Sequence, residues 1–212
     1  MPEPKPLRRD ARDNVAKLRS AALDVFLMKG LEAPLDEIAR TAGVSIGTLY
    51  NRFGSREALI DAVIPEVAGK RLRALRTDVM ARPTARGRLE AFVQGMIDLQ
   101  HGDPALNDAI LQRYPDATAL RGVCDVSATL GQELVRDAHR EGSLSPDFTE
   151  NDLFCLLWLA GTAHRDPAAP HGWRRVLDHA LDSAWTSKSA TPAHPASAPP
   201  LAHEAVGESP QP

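Results

Sequence analysis

LDEIARTAGVSIGTLYNRFGSREAL, residues 35–59, is the stretch that decides the fold of this chain. Apolar residues recur at helical spacing through its first half, which predicts a short helix with one buried face: Leu35, Ile38, Ala39 and Ala42. Gly43 follows, where a left-handed residue can end a helix, and the Ser45 side chain can cap the next helix. The sequence therefore predicts a helix-turn-helix at about residues 34–53.

The second of these helices should present a polar face to the outside. Val44, Leu49 and Phe53 are assigned to its inner side. The positions left for base edges and phosphates, and so predicted to contact DNA, are Ser45, Ile46, Gly47, Thr48, Tyr50, Asn51 and Arg52. Asn51 is suited to reading adenine and Tyr50 to binding phosphate. A helix-turn-helix pair also occurs in all-α proteins that never touch nucleic acid, so geometry alone leaves both interpretations open.

The amino-acid sequence of this segment is more specific than the helical spacing of its apolar residues. AGVSIGTLYNRFGSREAL, residues 42–59, resembles the signature of the tetracycline-repressor (TetR) family of bacterial transcription regulators. The resemblance extends upstream to SAALDVFLMKGLEAP, residues 20–34, and covers about residues 11–71. It implies a homodimeric regulator, most typically a ligand-responsive repressor, that binds a palindromic double-stranded DNA operator and an unknown small-molecule effector.

Four positions depart from the family's usual pattern. Pro34 replaces the Ser or Thr that caps the first helix of the pair, and Ile46 replaces a Lys or Arg of the recognition turn. Asn51 replaces a common His or Tyr, so contacts made at these positions in relatives do not transfer; Ile46 is instead suited to a thymine methyl group. Arg56 replaces a common Lys at the start of a fourth helix, where it can still donate to a phosphate.

Charge is distributed unevenly along the 212 residues. Residues 1–80 hold 14 Lys or Arg and 11 Asp or Glu, a net charge of +3, whereas the remainder holds 11 and 17, a net charge of −6. The half with the motif is thus the half attracted to phosphates. Neither a secretion signal nor a membrane-spanning run is apparent, which favours a cytoplasmic protein without membrane contact.

The predicted organisation has four parts. Residues 1–10 form a basic arm that continues to Arg12, either a solvated tail or a contact to the DNA backbone or minor groove. Residues 11–71 form a three-helix DNA-binding domain whose first helix runs from about Asn14 to Lys29, and whose fourth helix should kink at Pro65. Residues 72–187 form a helical regulatory and dimerisation domain. Residues 188–212, rich in Pro, Ala and Ser, form a disordered tail.

The regulatory domain is expected to be all α and to enclose a ligand cavity. Its first helices are predicted at about residues 84–100, 104–114 and 116–140. By their location, the candidate pocket residues are Phe92, Met96, Gln100, Tyr114, Cys155 and Trp158; ordinary core packing is the alternative for each of them. The basic run KRLRALR, residues 70–76, is interpreted as a solvated helix face rather than a second DNA site.

LFCLLWLAGTAH, residues 153–164, is apolar nearly all round, which is unusual for a surface helix of a monomer. A second helix from about Trp173 to Trp185 carries another apolar stripe. Homodimer contact is therefore predicted through the helices at about residues 151–165 and 172–186, forming a four-helix interface. The alternative is a helix buried within one subunit.

No catalytic, metal or cofactor site is predicted. Cys124 and Cys155 lack metal or disulfide spacing and suggest buried reduced thiols. The histidines form no HxxxH pair, and no nucleophile elbow, phosphate loop or dinucleotide fingerprint occurs. The chain is thus predicted not to be an enzyme. The alternatives are a small-molecule-binding protein or enzyme with a vestigial helix-turn-helix, and a transcriptional activator.

Overall fold

The computed structural model describes residues 6–186, and side chains from residue 12 onward. Within this range the chain forms nine α-helices and one isolated β-bridge, between Leu144 and Trp185. The helices are α1 (Pro6–Lys29), α2 (Leu35–Thr41), α3 (Ile46–Phe53), α4 (Arg56–Met80), α5 (Ala85–Gly102), α6 (Pro104–Ile110), α7 (Thr118–Glu141), α8 (Glu150–Arg165) and α9 (Trp173–Ala184). This confirms the predicted all-α fold.

The head consists of α1, α2, α3 and the first turns of α4, and it contains the predicted helix-turn-helix. Gly43 has a φ of +70°, so the turn after α2 uses a left-handed residue. Ser45 Oγ accepts a hydrogen bond from the Thr48 amide at 3.2 Å and caps α3. Fully buried side chains from all four helices form the core of the head, among them Leu18, Phe26, Ile38, Leu49, Leu59 and Ile60.

Several predicted boundaries differ from the observed ones. Helix α1 begins at Pro6 rather than Asn14, so residues 6–10 of the predicted arm are helical. Proline suits this position because the first helical N–H groups need no intrahelical partner. Helix α4 continues through Pro65 to Met80. Helix α6 ends at Ile110, four residues early, and the predicted tail at residues 188–212 lies outside the described residues.

In the body, residues 72–186, α5 and α7 pack against α4, while α6 and α8 each pack against α5 and α7, and α9 packs against α8. Leu89, Phe92 and Leu134 are fully buried at its centre. Helix α8 approaches α5 and α6 closely at Gly161, whose missing side chain leaves room for the amides of Gln100 and Asn107. Gln100 Nε2 donates to the Leu157 carbonyl at 3.1 Å. Within residues 6–186, no helix is both long and apolar enough to cross a bilayer.

Candidate nucleic-acid interface and body cavity

The outer face of α3 carries the predicted DNA-contacting residues. Six of the eight are exposed, namely Ser45, Ile46, Gly47, Tyr50, Asn51 and Arg52, while Thr48 and Arg56 are partly buried. Leu49 is 0% exposed and anchors the opposite face of the helix. Because α3 is short, capped at its start and pinned by a buried leucine, its polar side chains project from a rigid element. This arrangement matches a recognition helix presented to a DNA groove.

Arg56 has a structural contact in addition to the one predicted for it. Its Nη1 donates to the carbonyls of Leu31 and Ala33, both at 2.7 Å. These carbonyls belong to the α1–α2 loop, residues 30–34, so Arg56 ties the start of α4 to the approach of the helix-turn-helix. The phosphate contact predicted for Arg56 stays a prediction, and at least one of its nitrogens is engaged within the protein. Sequence alone gave no signal for this role.

The same loop is held from the body by Asp108 on α6. The Leu31 amide donates to Asp108 Oδ2 at 2.8 Å, although Asp108 is 0% exposed. The other oxygen, Oδ1, is paired with Arg165 at the end of α8, and Arg113 Nε lies 3.4 Å from it. A fully buried carboxylate is stable only when it is paired and hydrogen-bonded in this way. Asp108 therefore joins the head to two elements of the body.

Gly30 allows this close approach. Its φ is +87°, and a Cβ at this position would lie 2.5 Å from Asp108 Oδ2. Only glycine adopts this conformation readily and leaves space for the carboxylate. Gly30 lies in the segment 20–34 that resembles the family, and here it is required by a contact between the head and the body.

A cavity in the body, which we call the inner cavity, has a volume of about 360 Å³ and is partly open to solvent, because the exposed residues Cys155 and Trp158 line it. Four of the six predicted pocket residues line it: Phe92, Met96, Cys155 and Trp158. Its remaining lining residues, which sequence reasoning missed, are Leu72, Ile110, Leu111, Gln112, Cys124, Ser127, Ala128, Phe154 and Leu157. They come from α4, the end of α6 and the turn after it, α7 and α8, so no local pattern could have identified them.

Gln100 and Tyr114, the other two predicted pocket residues, lie outside the lining of this cavity. Gln100 is 1% exposed and packs against the α8 backbone, outside the lining of the inner cavity. Tyr114 lies near Arg56, on the side of the body that faces the head. Burial raises the pKa of its hydroxyl, while the Arg56 charge acts in the opposite direction. Helical spacing in the sequence does not distinguish these two residues from those that line the inner cavity.

The two cysteines differ in environment. Cys124 is largely enclosed, and burial raises the pKa of its thiol to about 11, with Asp125 adding to the shift. Cys155 is exposed, so the prediction of two buried thiols is wrong for this residue. Among the described residues, no three His, Cys, Asp or Glu side chains form a group suited to a metal ion.

Helices α8 and α9 leave apolar side chains in solvent. Leu153, Leu157 and Ala160 bury one face of α8, but Trp158 is 54% and Leu159 48% exposed on the other. On α9, Val176 is 64% exposed, and Leu177 and Ala184 form the buried stripe. Neighbouring exposed apolar side chains of this size are typical of a surface that contacts another protein.

Comparison with known proteins identifies the class of this chain. The family described as "Bacterial regulatory proteins, tetR family" matches residues 18–63. The HTH-type transcriptional regulator UidR of Escherichia coli K12 is 27% identical over 149 residues, which cover 66% of this chain and 74% of UidR. The regulator BetI of Rhizobium meliloti is 36% identical over 117 residues, 53% of each chain.

A solved structure shares the fold. The transcriptional regulator FadR of Bacillus subtilis, in complex with stearoyl-CoA, has a TM-score of 0.57 at 16% identity, and the match covers 79% of this chain and 96% of FadR. The fold and the exposed recognition helix define a helix-turn-helix DNA-binding transcriptional regulator. The chain belongs to the TetR family of these regulators.

Proposed function

We propose that this protein is a cytoplasmic, ligand-responsive repressor that binds a palindromic operator as a homodimer and has no enzymatic activity. The observation that carries the proposal is the exposed polar face of α3, from Ser45 to Arg52, on a capped helix. The net charge of +3 on residues 1–80 supports attraction of this face to DNA phosphates. Bound at a promoter, such a protein would exclude RNA polymerase.

The exposed residues of α3 would divide the work of recognition. Asn51 is exposed and offers both a donor and an acceptor, the pair needed for adenine in the major groove. Tyr50 is 49% exposed and would donate its hydroxyl to a phosphate, while Arg52 would reach either partner. Ile46 is 39% exposed and is suited to a thymine methyl group. Arg56 would act chiefly by positioning the loop ahead of α2.

The homodimer would form through α8 and α9. Trp158 and Leu159 are exposed on α8, and Val176 is exposed on α9, the two helices predicted to form the four-helix interface. Burying these side chains against a second copy removes apolar area from water, which stabilises association. A two-fold axis through this interface would also align two α3 helices with two half-sites.

An effector in the inner cavity has a physical route to the head. Ile110, Leu111 and Gln112 form part of the cavity wall and lie two to four residues after Asp108 in sequence. Gln112 has a φ of +52°, an uncommon value for a residue other than glycine, so this turn is under local constraint. A ligand that favours another arrangement of the turn would shift Asp108 and, through it, the Leu31 amide. The shift cannot exceed the ligand's preference for one state over the other.

FadR of Bacillus subtilis supports the existence of an effector, because that neighbour of the same fold was crystallised with stearoyl-CoA. The inner cavity of this chain, at about 360 Å³, falls within the size range of small-molecule sites. Its lining is dominated by apolar side chains with a few polar ones, Gln112, Ser127 and the two thiols. We therefore assign the effector to the apolar small molecules.

The test is a selection of the full-length protein on randomised duplex DNA at fixed near-physiological salt. Affinity for the enriched site is then measured against competitor DNA. The expected result is a palindromic consensus bound at least about a thousandfold more tightly than competitor DNA. Absence of enrichment would contradict the proposal and leave a small-molecule-binding protein with a vestigial helix-turn-helix. A site placed upstream of a promoter and raising transcription would instead identify an activator.

A further inference from the structure

A second cleft lies between α4 and α7, outside the inner cavity. It has a volume of about 360 Å³ and is open to solvent. Leu72, Val123 and Val126 contribute apolar walls, and Arg73 and Arg76 lie on the α4 side. The basic run at residues 70–76, which the sequence suggested to be a solvated helix face, thus borders a defined concavity.

Two glycines open the cleft. Gly69 on α4 and Gly122 on α7 both line it, so neither helix fills the gap with a side chain there. The Arg73 guanidinium occupies part of this space, with Nη1 2.9 Å from the position that a Cβ on residue 69 would take. A Cβ on residue 122 would meet no atom within 4 Å. The cleft therefore follows from the absence of side chains at both positions.

The two arginines lack a counter-charge in the part of the chain that the structure describes. No Asp or Glu oxygen there lies within 4.0 Å of the Arg73 or Arg76 nitrogens, whereas the neighbouring Arg71 pairs with Asp103. Positions three residues apart share one face of a helix, so the two like charges are adjacent. An anion between them would relieve their repulsion and form charge-assisted hydrogen bonds.

We propose that the α4–α7 cleft binds an amphiphilic anion, with its apolar part against Leu72, Val123 and Val126 and its anionic group at Arg73 and Arg76. Its role as an effector rests on the proposed function. Helix α4 extends from the head, where it begins at Arg56, into the body, so an occupant of the cleft contacts the helix that joins the two. Leu72 and Ser127 also line the inner cavity, and the two volumes share these residues as a wall.

The test compares two fluorescent probes that differ by one charged group. 8-Anilinonaphthalene-1-sulfonate carries a sulfonate, and N-phenyl-1-naphthylamine is its uncharged counterpart. The double substitution Arg73→Ala and Arg76→Ala should weaken binding of the sulfonate by on the order of tenfold and leave the neutral probe within about twofold, since two partly solvated ionic contacts are lost. The control, Lys70→Ala with Arg82→Ala, removes two exposed charges that do not line the cleft.

A second variant tests the location of the apolar part. Gly122→Phe puts a ring into the cleft at an exposed helical position where a Cβ meets no atom within 4 Å, so the fold should persist. It should weaken both probes. Unchanged sulfonate binding in the double variant, equal losses in the Lys70/Arg82 control, or unchanged binding of both probes in Gly122→Phe would each overturn the assignment. These measurements involve no DNA, so they fail or succeed independently of the operator selection.

Discussion

Helices α3 and α8 each leave one face in solvent, and the two faces differ in chemistry. Helix α3 exposes Asn51, Arg52 and Tyr50, while α8 exposes Trp158 and Leu159. Both helices also have a fully buried residue, so neither face is exposed because the helix is loosely packed. Each face therefore fits a different kind of partner: hydrogen-bonding groups suit base edges and phosphates, and apolar groups suit another protein surface.

The two faces are linked through Asp108. Arg165 is the last residue of α8, and the Leu31 amide precedes α2, yet both bind this one carboxylate. A change in the arrangement of α8 therefore reaches the recognition element through few contacts.

The largest effect is expected from placing a charge on the exposed apolar face of α8. Replacing Leu159 with Glu introduces a charge into the proposed dimer interface, and the protein should become monomeric. Losing the second half-site contact should reduce operator affinity by on the order of a thousandfold, about 4 kcal/mol. Sedimentation velocity and DNA titration measure the two effects. Met80→Glu, on an exposed apolar residue of α4, is the control, and a dimeric Leu159→Glu protein would refute the assigned interface.

The link between the faces can be broken at Gly30. Gly30→Ala combines a positive φ with a Cβ 2.5 Å from Asp108 Oδ2, and should lower the free energy of unfolding by about 3 kcal/mol. Gly43→Ala also has a positive φ, but its Cβ meets no atom within 4 Å, so about 1 kcal/mol is expected. Urea unfolding compares the two. Equal losses would mean that the contact with Asp108 contributes nothing beyond the backbone conformation.

Two substitutions on the α3 face can separate its contacts to bases from its contacts to phosphates. Asn51→Ala should cost about 1–2 kcal/mol on the preferred site and little on a site altered at one base pair, so the base preference changes. Tyr50→Phe removes one hydroxyl and should weaken binding to all sequences alike, by about 1 kcal/mol. Titrations on the preferred and altered sites measure both. Identical patterns for the two variants would refute this division between Asn51 and Tyr50.

The smallest effect is expected on the pH dependence of stability, through His101 at the contact of α5 with α8 and α9. Burial lowers the pKa of His101 to about 4, with His164 and Arg174 acting in the same direction and Asp98 against it. The unfolded chain binds this proton near pH 6.5 and the native state only near pH 4, so stability should fall as pH drops between these values. His101→Gln should flatten this part of the profile in urea unfolding. His179→Gln, an exposed control, should leave it unchanged.

Local features of the structure were accessible from sequence, and long-range ones were not. Gly43 and Ser45 predict the turn and the cap because their effects act within three residues, and Leu49 is buried as its helical position indicates. Residues 153–164 are apolar nearly all round, which predicts homodimer contact through α8, and that contact stays a prediction. Asp108 could not be recognised, because its amide partner lies 77 residues away and nothing near it in sequence marks a buried acid.

The inner cavity illustrates the same limit. Helical spacing identified Phe92 and Met96 but also suggested Gln100, which faces the α8 backbone instead. Met96 and Gln100 are one helical turn apart on α5. Helix α8 approaches α5 closely at Gly161, next to the Gln100 amide, so Gln100 contacts α8 while Met96 lines the cavity. The register between two packed helices is a tertiary property, so periodicity within one helix does not contain it.

The buried Asp108 carboxylate also sets an order of events during synthesis. Its hydrogen bond to Leu31 spans 77 residues, and its pairing with Arg165 spans a further 57. At ribosomal speeds of about 5–20 residues per second, Asp108 is made roughly 4–15 s after Leu31. The loop ahead of α2, although translated early, therefore gains this contact only when about half of the chain has been made. The contact between the head and the body therefore forms only after α6 has been synthesised.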